Sequence, residues 1–531
     1  MTAYLARTGG GDLFIPLTAF LLVVVVTFFL CLLVGSGDDT VSSFLSANRS
    51  LSSLRNGLAM CGDSISVIAL LIPVGTVALG GHDGMVFTAS AVAALAVLLL
   101  VAEPVRNTGA FTLGGILATR VDSPHVRSAA AAVTLLVCVP LIVVQLVVAG
   151  DATAYLLGLD NPGAAQVCTA FLGLLIVSFA VLGGLKATSV IEVVKVVLVL
   201  GTFVTTVYLV FERFDFSLDS LLHAAANGSG RAEQYFEPGQ LYDSSGAGAI
   251  DRLSACLTLA LGFAVLPPLL MRISASPTGP SARRSARHAV VLFGLFAVVM
   301  TVLGLGAAAL VGGADIAASS GQGYSAIFLL FDTVSGQDGL LFTAFACAMF
   351  VTALGSVAGL TLAAAASLSH DVHAVSMRRG RVGQEQEVRM TRWMLVIVGL
   401  LCVVLAVALH GWSVIFFASF AAAVASSTIL PALLYALFWK GLTRRGLLWT
   451  LYGGAASCLA AQLWNPTVSG SPESLFPQLD FAVLPFENIA IVTVPTGFLI
   501  GWLTSRFGRR QAPLDYERTE RKVLTGTYTP L

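Results

Sequence analysis

LRNGLAMCGDSISVIALLIPVGTVAL, residues 54–79, is the stretch that decides the fold. It is apolar over more than the ~20 residues a bilayer crossing needs. Yet Gly57, Gly62 and Pro73 interrupt it, and Asp63 places a carboxylate inside it. Proline removes a ladder hydrogen bond and clashes one turn back. In lipid, the carbonyls so freed must find other partners. The stretch reads as a broken membrane helix arranged around a polar site.

Working outward, apolar stretches of crossing length recur about thirteen times: 13–35, 54–79, 84–104, 126–150, 164–185, 187–211, 250–272, 286–312, 338–368, 391–411, 414–438, 446–464 and 487–505. The first is longer than the 7–15-residue core of a signal peptide and no A-x-A site follows, so it reads as a retained helix. The seventh is interrupted in its turn, by Gly262 and the pair Pro267-Pro268. It lies five crossings after the second and starts from the other side. That spacing and polarity predict two inverted five-helix repeats, 54–211 and 250–438. The expected fold is an all-α polytopic membrane protein with a ten-helix (5+5) core. One flanking helix (1–35) precedes the core, two (446–505) follow it, and a tail occupies 506–531.

Composition agrees. The chain is 56% hydrophobic and only 11% charged, with a mean hydropathy of +0.88. A water-facing protein carries roughly 25% charged residues. Net charge is zero, which leaves no basic case for a nucleic-acid partner. The eight cysteines sit singly in apolar runs, and the seven histidines lie in loops or at segment ends. Disulfide, metal and haem chemistry are therefore not expected. No G-x-x-x-x-G-K-[ST] stretch offers an ATP site, and no appended domain suggests a kinase-bearing sensor. Of 29 Lys and Arg, 24 fall on one set of alternate loops or the tail. The expected topology is N-terminus outside, C-terminus cytoplasmic.

Charges within spans default to function. Besides Asp63 there are Glu192 and Lys195 in the sixth span, spaced i,i+3 as an ion pair would be. A helix rise of about 1.5 Å per residue sets all three in the inner half of the membrane. Asp63 has no partner on its own helix and needs a cation or a distant base. The ninth span carries Thr352, Gly355, Ser356, Gly359 and Thr361, suited to close packing or, through the hydroxyls, to an oxygen shell. Ser426, Ser427 and Thr428 form another polar notch before Pro431.

At these residues the chain resembles the sodium:solute symporter family, most closely its cation–acetate (monocarboxylate) branch. Phe44-Leu-Ser-Ala-Asn-Arg-Ser-Leu51 is similar to that family's F-Y-x-A-G-R-S-L. Asn56-Gly-Leu-Ala-Met-Cys-Gly-Asp-Ser64, with Gly81-His-Asp-Gly84, resembles N-G-x-A…G-D…G-Y-D-G. Gly183-Gly-Leu-Lys-Ala-Thr188 with Glu192 resembles the G-G-x-x-A-x…D/E run. Leu266-Pro-Pro-Leu-Leu-Met-Arg272 with Ala282-Arg-Arg-Ser285 is similar to L-P-H-I-L-M-R…A-R-R-S. Val357-Ala-Gly-Leu-Thr-Leu362 with Ser369-His-Asp371 is similar to V-A-G-L-T-L…S-H-D.

The resemblance implies a symporter, not an enzyme, that takes up a small monocarboxylate of the acetate, propionate or pyruvate type across a bacterial inner membrane. No cofactor is implied beyond the coupling ion, Na⁺ or H⁺. Na⁺ would meet the carbonyls of Cys61 and Ser64 and the Ser356 hydroxyl, with Asp63 and Glu192 as cation-handling acids. Gly62, Gly262 and Pro267 at the breaks are expected to face the substrate. Two departures matter: Gly355 stands where the family's sodium users have a first hydroxyl, and Pro268 stands where the branch has His. A serine at 355 would then be expected to tighten Na⁺ binding. Rival readings are the same fold with proline, a sugar or urea as solute, or a transporter-like sensor.

Overall fold

In hydrocarbon every backbone N–H and C=O needs an internal partner, which leaves helices or closed barrels as spanning structures. The computed structural model of this chain takes the helical solution. It describes residues 14–35, 40–156, 159, 161, 163–242, 246–319, 323–335, 340–470, 474–476, 478–508 and 513–526. Residues 1–13 of the predicted N-terminal segment, and 509–512 and 527–531 of the predicted tail, lie outside these. Among the described residues the one β contact is an isolated bridge between Ser469 and Phe476.

The principal helices are α1 (Phe14–Gly35), α2 (Ser53–Ser64), α3 (Val67–Gly80), α4 (His82–Thr108), α5 (Pro124–Leu156) and α6 (Ala164–Glu212). There follow α7 (Gly246–Leu257), α8 (Pro267–Ser274), α9 (Gly279–Leu310), α10 (Leu340–Ala366) and α11 (Gln384–Ala408). Then come α12 (Val414–Val424), α13 (Leu430–Phe438), α14 (Arg444–Leu463), α15 (Ala490–Arg506) and α16 (Pro513–Thr525). A helix underlies each predicted span. Among the described residues eight helices, joined across their π turns, are long and apolar enough to cross a membrane, or nine when α2 and α3 count as one bent span. The α6 run is long enough for two crossings, and α1, α14 and α15 fall outside that set.

The first break lies between α2 and α3, whose axes bend by 62°. Ile65 is extended, and the Ser66 hydroxyl accepts the Ala69 N–H at 3.2 Å to cap α3. The chain therefore breaks at Ile65-Ser66 and not at the glycines or Pro73. Pro73 sits inside α3, where the Thr76 hydroxyl donates to its carbonyl at 3.1 Å. The second break follows its prolines. A π turn (Thr258–Gly262) and a 3₁₀ turn (Phe263–Val265) loosen the end of α7. Pro267 and Pro268 then open α8, where a missing N–H costs no ladder bond.

The fifth and sixth predicted spans form one 49-residue run, α6. At 1.5 Å per residue a straight helix of this length would reach about 74 Å, more than twice a ~30 Å hydrocarbon core. Gly184 divides it, with φ 54° and ψ −166°. That backbone region is open almost to glycine alone, and a Cβ there would lie 2.9 Å from the Phe44 ring and carbonyl.

Packing then assembles the site. α9 runs along α2, α3 and α4, while α10 runs along α5 and α6 and touches both halves of the first broken helix. Two buried carboxylates tie the ends. Asp83 accepts the N–H groups of Gly239, Gln240 and Leu241 at 3.0, 2.8 and 3.1 Å, and Arg252 at 3.0 Å. At the other end Asp371 accepts from Thr112 at 2.9 Å, Arg127 at 3.2 Å and Ser367 at 3.2 Å. These contacts account for the aspartates of the Gly81-His-Asp-Gly84 and Ser369-His-Asp371 motifs.

Candidate ion and substrate site

The break between α2 and α3 opens on a cavity of about 120 Å³. Its polar wall is Asp63, Ser64, Ser66, Thr88, Gln145 and Ser356. The remainder is mostly apolar, with Phe87, Phe263, Leu266, Phe293 and Phe296 prominent. The first turn of α3 contributes Ser66, Ile68 and Ala69, so its positive end faces the space. Gln145, a lone amide in the apolar span of α5, fixes this turn by accepting the Val67 N–H at 2.8 Å. Sequence reasoning passed over Gln145, although a single amide in such a span was a signal.

Asp63 has its distant base. Arg272 donates from Nε to Oδ2 at 2.6 Å and from Nη2 to Oδ1 at 3.2 Å. The guanidinium, only 1% exposed, also reaches the Leu185 carbonyl and Thr188 hydroxyl, each at 3.2 Å, and the Ser189 hydroxyl. Arg272 closes the seventh predicted span, where the charge count takes it as a residue of the adjoining loop; the structure buries it in α8. Nearby, the Asn56 amide of α2 donates to the Arg272 carbonyl and the Ser276 hydroxyl, both at 3.0 Å.

Glu192 and Lys195 meet as the i,i+3 spacing predicts, Nζ lying 2.5 Å from Oε2 with both side chains fully buried. Among the described residues neither carboxylate oxygen has a further hydrogen-bond donor. Two glycines make the slot that holds this carboxylate. A Cβ on Gly62 would lie 2.4 Å from Oε2, and a Cβ on Gly355 would lie 2.4 Å from Oε1. One turn on, a Cβ on Gly359 would lie 3.3 Å from Oδ1 of Asp63. The small residues of α10 thus make room for two acids.

Lys195 Nζ is 3.4 Å from the Ser356 hydroxyl, which lies 3.4 Å from the Ile65 carbonyl at the break. The structure therefore brings Cys61, Asp63, Ser64, Glu192 and Ser356 to one place. It does not bring Gly62, Gly262 and Pro267 to the cavity wall. Gly62 faces Glu192, Gly262 packs against the Ala422 carbonyl, and Pro267 is buried in the first turn of α8. Their neighbours Asp63, Phe263, Leu266 and Pro268 line the space instead.

The sodium:solute symporter family matches residues 44–454. A monocarboxylic acid transporter of Corynebacterium glutamicum is 34% identical over 513 residues, covering 94% of this chain and 93% of that protein. An uncharacterized symporter of Bacillus subtilis is 33% identical over 501 residues, covering 92% and 94%. Among solved structures, a Na⁺-coupled sialic acid symporter in a substrate-bound, outward-open state superposes with a TM-score of 0.71 at 12% identity. That superposition covers 93% of this chain and 98% of the other.

Proposed function

We infer that this chain, which belongs to the sodium:solute symporter family, imports a small monocarboxylate of the acetate, propionate or pyruvate type, coupled to Na⁺ or H⁺. It is a polytopic membrane transporter and not an enzyme, as its relatives and its fold are. The finer reading rests on the cavity. A ~150 Å³ apolar cavity accepts benzene, so about 120 Å³ walled mainly by apolar side chains suits an acid of a few carbons. The first turn of α3 offers the carboxylate a positive end without a fixed counter-charge. The relative named for monocarboxylic acids supports the same class. We place the protein in a bacterial inner membrane with its N-terminus outside, its core built of repeats 54–211 and 250–438. The coupling ion is handled where Asp63, Glu192 and Ser356 meet the Cys61–Ser64 edge of α2.

Counterflow in proteoliposomes tests the substrate class. Vesicles loaded with unlabelled acetate, propionate or pyruvate are expected to accumulate the labelled acid transiently, and those loaded with proline, glucose or urea are not. Counterflow of one of the latter three, with none of the acids, would assign the same fold to another solute.

A further inference from the structure

The notch that the family resemblance gives to Na⁺ has an owner in this chain. Its hydroxyl, Ser356, sits between the Lys195 ammonium and the Ile65 carbonyl, 3.4 Å from each. The first hydroxyl position is Gly355, and the space its side chain would fill is taken by Glu192 Oε1, with Lys195 Nζ 3.3 Å from the same point. At the edge of α2, the Cys61 and Gly62 carbonyls already accept the Ile65 N–H at 3.1 and 2.9 Å. A hard cation asks for several oxygen ligands, and a Na⁺ held by Ser356 would stand beside an ammonium that repels it. Lys195 faces Glu192 on its own helix, Glu192 in turn lies in the field of Asp63 on α2 and Arg272 on α8, and the Cys61 thiol lies beside the Glu192–Lys195 pair. Two acids and two bases balance formally with no added ion.

We propose that the Lys195 ammonium, held by the Glu192 carboxylate in the Gly62–Gly355 slot, is the built-in cation of this notch, so that carboxylate uptake requires no Na⁺ there. The proposal rests on the symport reading above and selects between its two coupling ions, leaving the proton gradient as the driving force. The glycine at 355 is then no gap in a sodium shell. It admits the acid that holds the lysine.

The test uses the full-length protein in proteoliposomes and in detergent. Uptake of labelled acetate, propionate and pyruvate is measured with Na⁺ outside and with Na⁺ replaced by N-methylglucamine. Thermal unfolding of the purified protein is followed as Na⁺ replaces choline at constant ionic strength. The expected results are uptake unchanged within about twofold, collapse of accumulation by a protonophore, and a midpoint that does not move with Na⁺. In Lys195→Ala the carboxylate slot opens to an external cation, and the midpoint is expected to rise with Na⁺ but not with choline. If that variant does not fold, the wild-type protein decides alone. A tenfold fall in uptake without Na⁺, or a Na⁺-dependent midpoint in the wild type, overturns the proposal. A protein that carries none of the three acids yet ignores Na⁺ overturns the substrate reading and supports this one; acid uptake that needs Na⁺ does the reverse.

Discussion

Replacing Asp63 by Asn strands the Arg272 guanidinium in a site where it is 1% exposed. Removing one partner of a buried ion pair costs about 3–5 kcal/mol, because the other charge stays behind. Asp63→Asn and Arg272→Met are each expected to lower the unfolding midpoint in detergent, and the double variant to recover most of the loss. A double variant no more stable than either single one would show that the pair is not coupled. Gly355→Ser reverses the expectation drawn from sequence. Its Cβ would press on Glu192 Oε1 at 2.4 Å, and overpacking a filled core costs about 1–3 kcal/mol. The variant is expected to lose both stability and uptake, and tighter Na⁺ binding would contradict that. The acids themselves were legible, because a charge in an apolar span is conspicuous. Arg272 was not. It stands 209 residues from Asp63, at the end of a span where linear counting reads it as a loop charge.

At the scale of elements, Gly184 makes a demand that only glycine meets. Ala at this position must adopt φ 54° and place its Cβ 2.9 Å from Phe44. Such backbone strain costs about 1–3 kcal/mol, so Gly184→Ala is expected to lower the unfolding midpoint. Gly201→Ala, with nothing within 4 Å of the new Cβ, is the control and should leave the midpoint in place or raise it. The helices were readable because hydrophobicity averaged over a crossing length is a strong signal. The second break was readable too, since Pro267 and Pro268 sit at the start of α8. The first was placed several residues off. Its position depends on the Ser66 cap and on Gln145 from another helix, while the proline that drew attention is absorbed inside α3.

For the whole molecule, the arginine asymmetry predicts which face meets the cytoplasm. The structure narrows the segment between the ninth and tenth predicted spans, 338–368 and 391–411, to a short connection at residues 378–383, since α11 begins at Gln384 and the preceding π turn ends at Met377. A cysteine introduced at Arg379, 380 or 381 is expected to escape an impermeant maleimide in intact cells and to react once the membrane is opened. Labelling from outside would invert the topology. One further consequence follows from the contacts between α2 and α8. The Asp63–Arg272 pair and the Asn56 bond to the Arg272 carbonyl fasten α2 to the end of α8, and a second Asn56 bond holds Ser276 just beyond it. In mechanical terms the two broken helices share one degree of freedom at this end. A motion that parts them must undo four bonds together, whereas a motion that carries both as a single lever keeps these four and loosens only the Arg272 contacts with Leu185, Thr188 and Ser189 of α6. In the import reading proposed above, the expected exit route therefore passes around this lever and not through it.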